Sequence, residues 1–150
     1  VKPSRAGLTL RIVLAWLPVC AYTGLIWFLS SRVLDVKLDS IPFRDKGVHF
    51  VEYGVLGFLM THAVRVTWPR ARRALSAAFW LTVSLGLIDE LHQAYVPGRS
   101  ADTLDLATDA LGALIAITLY HLLAGLIRRR LQTRLALQPP HERSSEESLP

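Results

Sequence analysis

The sequence predicts an all-α, polytopic integral membrane protein: a bundle of four transmembrane helices with both termini in the cytoplasm. Three observations predict it. The 150-residue chain is 51% apolar, close to a soluble protein's average, but its apolar residues gather into four segments, 12–29, 47–64, 74–96 and 104–127. A hydrocarbon core about 30 Å thick needs roughly 20 mostly apolar residues per helix; the segments hold 18, 18, 23 and 24 residues and only five formal charges. Lys and Arg all fall outside the segments and divide twelve to five between the two sides, which puts the N-terminus inside. A chain of this kind is expected in the inner (cytoplasmic) membrane as a multi-pass protein.

The first segment follows Lys2, Arg5 and Arg11 as a secretory signal would, yet it is long and no small-residue cleavage site follows it. It is therefore expected to be a retained helix. The lone cysteine, Cys20, lies within it; it excludes an intrachain disulfide and is expected to be a small packing residue. In the second segment Gly54 and Gly57 lie too close together for the small-xxx-small packing motif. Pro97 and Gly98 stop the third segment, Arg99 follows, and Ser100 or Asp102 caps the fourth.

Residues 1–127 thus form one membrane domain and 128–150 a cytoplasmic tail. The tail opens with Arg128, Arg129, Arg130 and Arg134, each worth about 1 kcal/mol against anionic headgroups. Residues 138–150, rich in Pro, Ser and Glu, are expected to be disordered. The net charge of +5 is topological: no stretch pairs basic residues with aromatic interleaving, and nucleic acid is not an expected partner.

All five charges inside the segments are acids: Glu52, Asp89, Glu90, Asp105 and Asp109. At about 1.5 Å of rise per residue, Glu52, Glu90 and Asp109 lie roughly 10 Å below the outer surface on three different helices, with Asp89 about 12 Å deep. Residues three, four and seven apart share a helix face. Asp45, His49 and Glu52 make one stripe, Gly86, Asp89 and Gln93 a second, and Asp102, Asp105, Asp109 and Gly112 a third. Lipid does not solvate such faces, so they are expected to meet at a polar site open to the outside.

Two roles suit these residues. In the first, the site binds or processes the headgroup of an amphiphile whose tail lies against apolar walls. Arg99 and Lys46 then hold an anionic group. His49, Glu52, Asp89 and Glu90 are the candidates for proton transfer, and Asp45, Tyr53, Gln93, Ser100, Asp105 and Asp109 line the substrate side. Tyr95 is a further candidate for the lining. In the second role the acids, Arg99, Lys46, His49 and Gln93 form an interhelical packing network in a protein without catalysis. Ion or proton translocation is a third alternative, opposed by the absence of charges in the inner halves. No resident cofactor is expected; the alternative is a divalent cation on His49, Glu52, Asp89 and Glu90, a donor set suited to Mg, Ca, Mn or Zn. His62, His92 and His121 are expected to be interfacial or packing residues.

The run Asp45-Lys46-Gly47-Val48-His49-Phe50-Val51-Glu52-Tyr53, the run Asp89-Glu90-Leu91-His92-Gln93, and Pro97-Gly98-Arg99-Ser100 with Asp105 and Gly112 resemble the VanZ-like family. The resemblance covers roughly residues 41–123. It implies a small bacterial membrane protein of the cell envelope, in a family named for an accessory determinant of resistance to the glycopeptide teicoplanin. The amphiphile is then expected to be a membrane lipid or a lipid-linked cell-wall precursor, and the non-catalytic alternative is a protein that shields or alters access to cell-wall targets. The family's fourth-helix block commonly reads Asp-x-x-x-Asn before the glycine, where this chain has Asp105 and Asp109.

Overall fold

The computed structural model describes residues 4–32 and 44–137. Among these the secondary structure is all helical: α1 (Arg5–Ser30), α2 (Arg44–Thr67), α3 (Ala74–Gln93) and α4 (Thr103–Leu137). Helices α1, α3 and α4 are long and apolar enough to cross a membrane; α2 falls short by that measure. The expectation of disorder over 138–150 lies outside the described residues.

Helix bounds follow local chemistry. The N-terminal helix begins seven residues before its apolar segment, because the Ser4 side chain accepts from the Gly7 amide at 3.2 Å and so caps the first turn. Helix α3 stops at Gln93, three residues before the expected end. Ala94, Tyr95 and Val96 turn back on Glu90, His92 and Gln93 carbonyls, and Gly98 takes a positive φ of 84°. That conformation costs an L side chain about 1–2 kcal/mol, so glycine suits this turn. Asp102 then opens α4, its carboxylate accepting from the Leu104 amide at 2.8 Å.

The chain divides into two units, Val1–Thr118 and Leu119–Pro150. In the first, α2 packs on both α1 and α3, which make a smaller contact with each other. The buried side chains of α2 recur at helical spacing, with Tyr53, Leu56, Met60, Ala63 and Val64 meeting Ala15, Val19 and Ile26 of α1 and Ala74 and Ala78 of α3 in one core. Trp16 of α1 donates to Thr67 Oγ1 of α2 at 2.9 Å, a bond of the kind worth about 0.6 kcal/mol between membrane helices.

Many large apolar side chains face outward: Leu14, Leu17, Trp80, Leu91, Leu111 and Leu114 are all exposed. A soluble protein would cover so wide an apolar surface; lipid leaves it stable. Helix α2 explains its own lower apolarity, because its polar residues meet three neighbouring helices instead of hydrocarbon. Cys20 departs from its expected packing role, for its side chain is exposed on α1.

Gly54 and Gly57, though outside the small-xxx-small motif, pack closely. Residues three apart still share a helix face, and both lie against α4. A Cβ on Gly57 would sit 3.0 Å from Ala113 Cα, and one on Gly54 3.5 Å from the Gly112 carbonyl oxygen. The approach is tightest at Gly112, where a Cβ would overlap the Phe50 carbonyl oxygen. In the second unit, described over 119–137, the chain is helical throughout and Arg128, Arg129, Arg130 and Arg134 are exposed.

Candidate functional site

The close approach of α2 and α4 at Gly54 and Gly112 brings one polar stripe of α2 against one of α4, and the α3–α4 turn carries the end of α3 to the same place. Lys46, in the first turn of α2, donates to Asp102 at 2.8 Å and Asp105 at 3.0 Å, and lies 3.4 Å from Asp45. These bonds hold the ammonium above the ordinary lysine range, with Asp102 the larger influence and Asp105 the next. In turn Lys46, then the Leu104 amide, holds Asp102 below the usual carboxylate range. Asp45 is also lowered: partial burial opposes the shift, and the Lys46 amide and charge outweigh it.

One turn further along α2, His49 Nδ1 lies 3.1 Å from Asp109 Oδ1 and 3.9 Å from Glu90 Oε1, and all three side chains are buried. Glu90 accepts from the Asp102 amide through Oε2 at 2.8 Å, so α3 is tied to the start of α4. Asp109 has room because Gly86 of α3 lacks a side chain: a Cβ there would stand 2.8 Å from Asp109 Oδ2 and 3.3 Å from the Tyr53 ring. Asp89, one position from Glu90, accepts from Gln93 at 2.9 Å. The remaining oxygens, Asp89 Oδ1, Glu90 Oε1 and Asp109 Oδ2, are buried without a hydrogen-bond partner. In an apolar surround such acceptors call for protons, a cation or a donor-bearing ligand.

Asp89 also faces a cavity of about 40 Å³ between α1, α2 and α3, room for a small polar group. Its walls are Thr23, Ile26 and Trp27 of α1, Tyr53 and Leu56 of α2, and Leu85 and Ile88 of α3. Thr23 Oγ1 is buried without a partner as well. Tyr53 is almost fully buried, directs its hydroxyl at the Leu85 carbonyl at 3.4 Å and lies nearly parallel to the His49 ring.

A family model for VanZ/LLP1 matches residues 10–124. The chain belongs to the VanZ/LLP1 family. Comparison with curated proteins and with solved structures returned no match.

Within this VanZ/LLP1 chain the sequence candidates separate into an assembled group and a peripheral one. Lys46, His49, Tyr53, Glu90, Asp105 and Asp109 are joined by the contacts above, while Asp89 and Gln93 bond to each other and Asp89 lines the cavity with Tyr53. Glu52 is half-buried within electrostatic reach of His49, Asp89 and Asp109. Arg99 donates to the Arg32 carbonyl at 2.8 Å, Asp45 is largely exposed, and Ser100 is exposed. Tyr95 is 87% exposed. His92 stacks on Trp27 at 4.1 Å and pairs with Ser31 at 2.9 Å.

The candidate cation donors are also distributed differently from the expected set. Among the described residues, His49, Glu90 and Asp105 each offer a ligand atom, all within 4.8 Å of one another; Asp105 takes a place that the sequence reading gave to Glu52 and Asp89. Sequence reasoning missed the contribution of α1, since Thr23 and Trp27 carry no charge and stand in an unbroken apolar segment. Their only signal is spacing: Thr23, Ile26 and Trp27 share a helix face.

Proposed function

We propose that the polar site binds the headgroup of an envelope amphiphile, a membrane lipid or a lipid-linked cell-wall precursor, with apolar helix faces receiving its tail. One observation carries the reading: a cavity walled by apolar side chains of three helices ends on the Asp89 carboxylate, one of whose oxygens is buried and unbonded. At about 40 Å³ the cavity admits one small hydrogen-bond donor at the end of a molecule, whose apolar length then lies along the exposed apolar helix faces. Lys46 is engaged by Asp102 and Asp105, and Arg99 by a backbone carbonyl. The first contact to the headgroup is therefore a hydroxyl or ammonium group given to Asp89, which lines the cavity.

In this reading α2 also spans the bilayer, shielded by its neighbours, which makes four spans in the inner membrane. The charge asymmetry puts both termini in the cytoplasm and the site beneath the outer headgroups. His49, Glu52, Asp89 and Glu90 then stand where a proton could be moved to or from the headgroup. Access to cell-wall precursors from this side is how such a protein would bear on glycopeptide resistance.

The test is to incubate the purified full chain with bacterial envelope lipid extract and to analyse retained molecules and products by mass spectrometry. Retention of one amphiphile class, lost in Asp89→Asn with the helical content intact, supports the reading; no selective retention rejects it. Conversion of the retained molecule, abolished by Glu52→Gln or Asp89→Asn, supports catalysis, whereas tight retention without product rejects it.

A second reading, in which the acids serve helix packing alone, is favoured by the bonds that tie Lys46 to Asp102 and Asp105 and Glu90 to the Asp102 amide. It predicts that the same variants lose stability and that wild-type protein retains no lipid selectively.

A further inference from the structure

We propose that His49, Glu90 and Asp105 hold a divalent transition-metal ion, Mn2+ or Zn2+, at the junction of α2, α3 and α4. Each helix supplies one donor, all three side chains are buried, and their ligand atoms lie within 4.8 Å of one another. The independent sign of a ligand is Glu90 Oε1, which is buried, has no hydrogen-bond partner and faces the His49 ring at 3.9 Å. Its companion oxygen is fixed by the Asp102 amide, and Lys46 fixes Asp105 Oδ1. Outer contacts of that kind orient ligating carboxylates in metal sites.

An ion would draw the donors inward, since His49 Nδ1 and Glu90 Oε1 stand 3.9 Å apart and the three ligand atoms lie within 4.8 Å of one another. Metal bonds of about 2.0–2.2 Å put neighbouring ligand atoms roughly 3.0–3.5 Å apart. Asp109 Oδ1 lies 3.1 Å from His49 Nδ1, so Asp109 either orients the imidazole through Nδ1 or joins as a fourth ligand beside it. The second oxygen of Asp109 is buried and unbonded too.

The donor chemistry narrows the ion. Mg2+ and Ca2+ take oxygen ligands, whereas one imidazole with several carboxylates suits Mn2+ or Zn2+. A dication would balance carboxylates in a place where lipid supplies no counter-charge. It would also offer an anionic headgroup the positive charge that Lys46 and Arg99, already engaged, do not. That last use rests on the amphiphile reading; binding of the ion does not.

The experiment is titration of the purified full chain, in detergent and without added lipid, with Mn2+, followed by electron paramagnetic resonance. Saturation at one Mn2+ per chain is expected, displaced by Zn2+, with spin-echo modulation from a directly bound nitrogen that changes when histidine is labelled with 15N. Glu90→Gln keeps an acceptor for the Asp102 amide and should weaken Mn2+ binding at least about tenfold, as should Asp105→Asn. His92→Gln, outside the cluster, should leave it unchanged.

Wild-type affinity no higher than that of Glu90→Gln, or bound Mn2+ without nitrogen modulation, overturns the proposal; the second readout needs no variant to fold. Repeating the lipid-retention assay with and without a chelator separates the two claims. Amphiphile retained by protein that takes up no Mn2+ overturns the ion alone. Nitrogen-coordinated Mn2+ in protein that retains no amphiphile upholds the ion and rejects the headgroup reading.

Discussion

At the scale of the residue, Lys46 and Asp102 set a testable pH response. Asp102 is held below its ordinary value of 3.8 in the folded protein, so its contribution is complete above that value and is lost as pH falls through the lower folded one. Lys46 is held above its ordinary 10.5, so its contribution is complete below that value and is lost only as pH rises through the higher folded one. Thermal unfolding followed from pH 7 downward should show an acid limb that flattens in Asp102→Asn, since asparagine still caps α4 but carries no charge to lose; an unchanged limb would place the acid response elsewhere. Gly112 gives a second prediction. Gly112→Ala drives a Cβ into the Phe50 carbonyl oxygen and should cost about 2 kcal/mol or more in denaturant unfolding, whereas wild-type stability would mean that α2 and α4 can separate there. The acids of the site were legible because charges are conspicuous in apolar segments. Their pairing was not: periodicity put Asp105 and Asp109 on one face of α4, but only the depth of the α2–α4 approach decides which of them meets Lys46 and which meets His49.

At the scale of the element, the turn between α3 and α4 carries the site, because it sets Glu90 against the Asp102 amide. Gly98→Ala should destabilise the folded protein by about 1 kcal/mol through the positive φ at that position, read by thermal unfolding; a neutral outcome would show that the turn adopts another conformation at no cost. The positions of the helices were legible from apolar runs and from Pro97 and Gly98. Their ends were less so, since Ser4 starts α1 before its apolar segment and α3 yields three apolar-segment residues to the turn. The role of Gly54 and Gly57 was hidden for a different reason. A spacing of three is not a recognised membrane packing motif, yet it serves when Gly112 and Ala113 on the facing helix are equally small.

At the scale of the whole molecule, the proposed topology predicts which side of the bilayer each exposed position reaches. In a Cys20→Ser background, Ala101→Cys in the α3–α4 connection should react with a membrane-impermeant maleimide on intact cells, and Thr133→Cys only after permeabilisation; the reverse pattern would invert the protein and move its site to the cytoplasmic side. The central claim, however, is that acidic and basic groups from separate helices form one site, and the most direct measure of it is a double-mutant cycle on His49 and Asp109. Unfolding free energies of the wild type, His49→Gln, Asp109→Asn and the double variant should give a coupling of at least about 0.5 kcal/mol, as expected for buried groups 3.1 Å apart. Additive effects of the two substitutions would mean that α2 and α4 do not bring these side chains together.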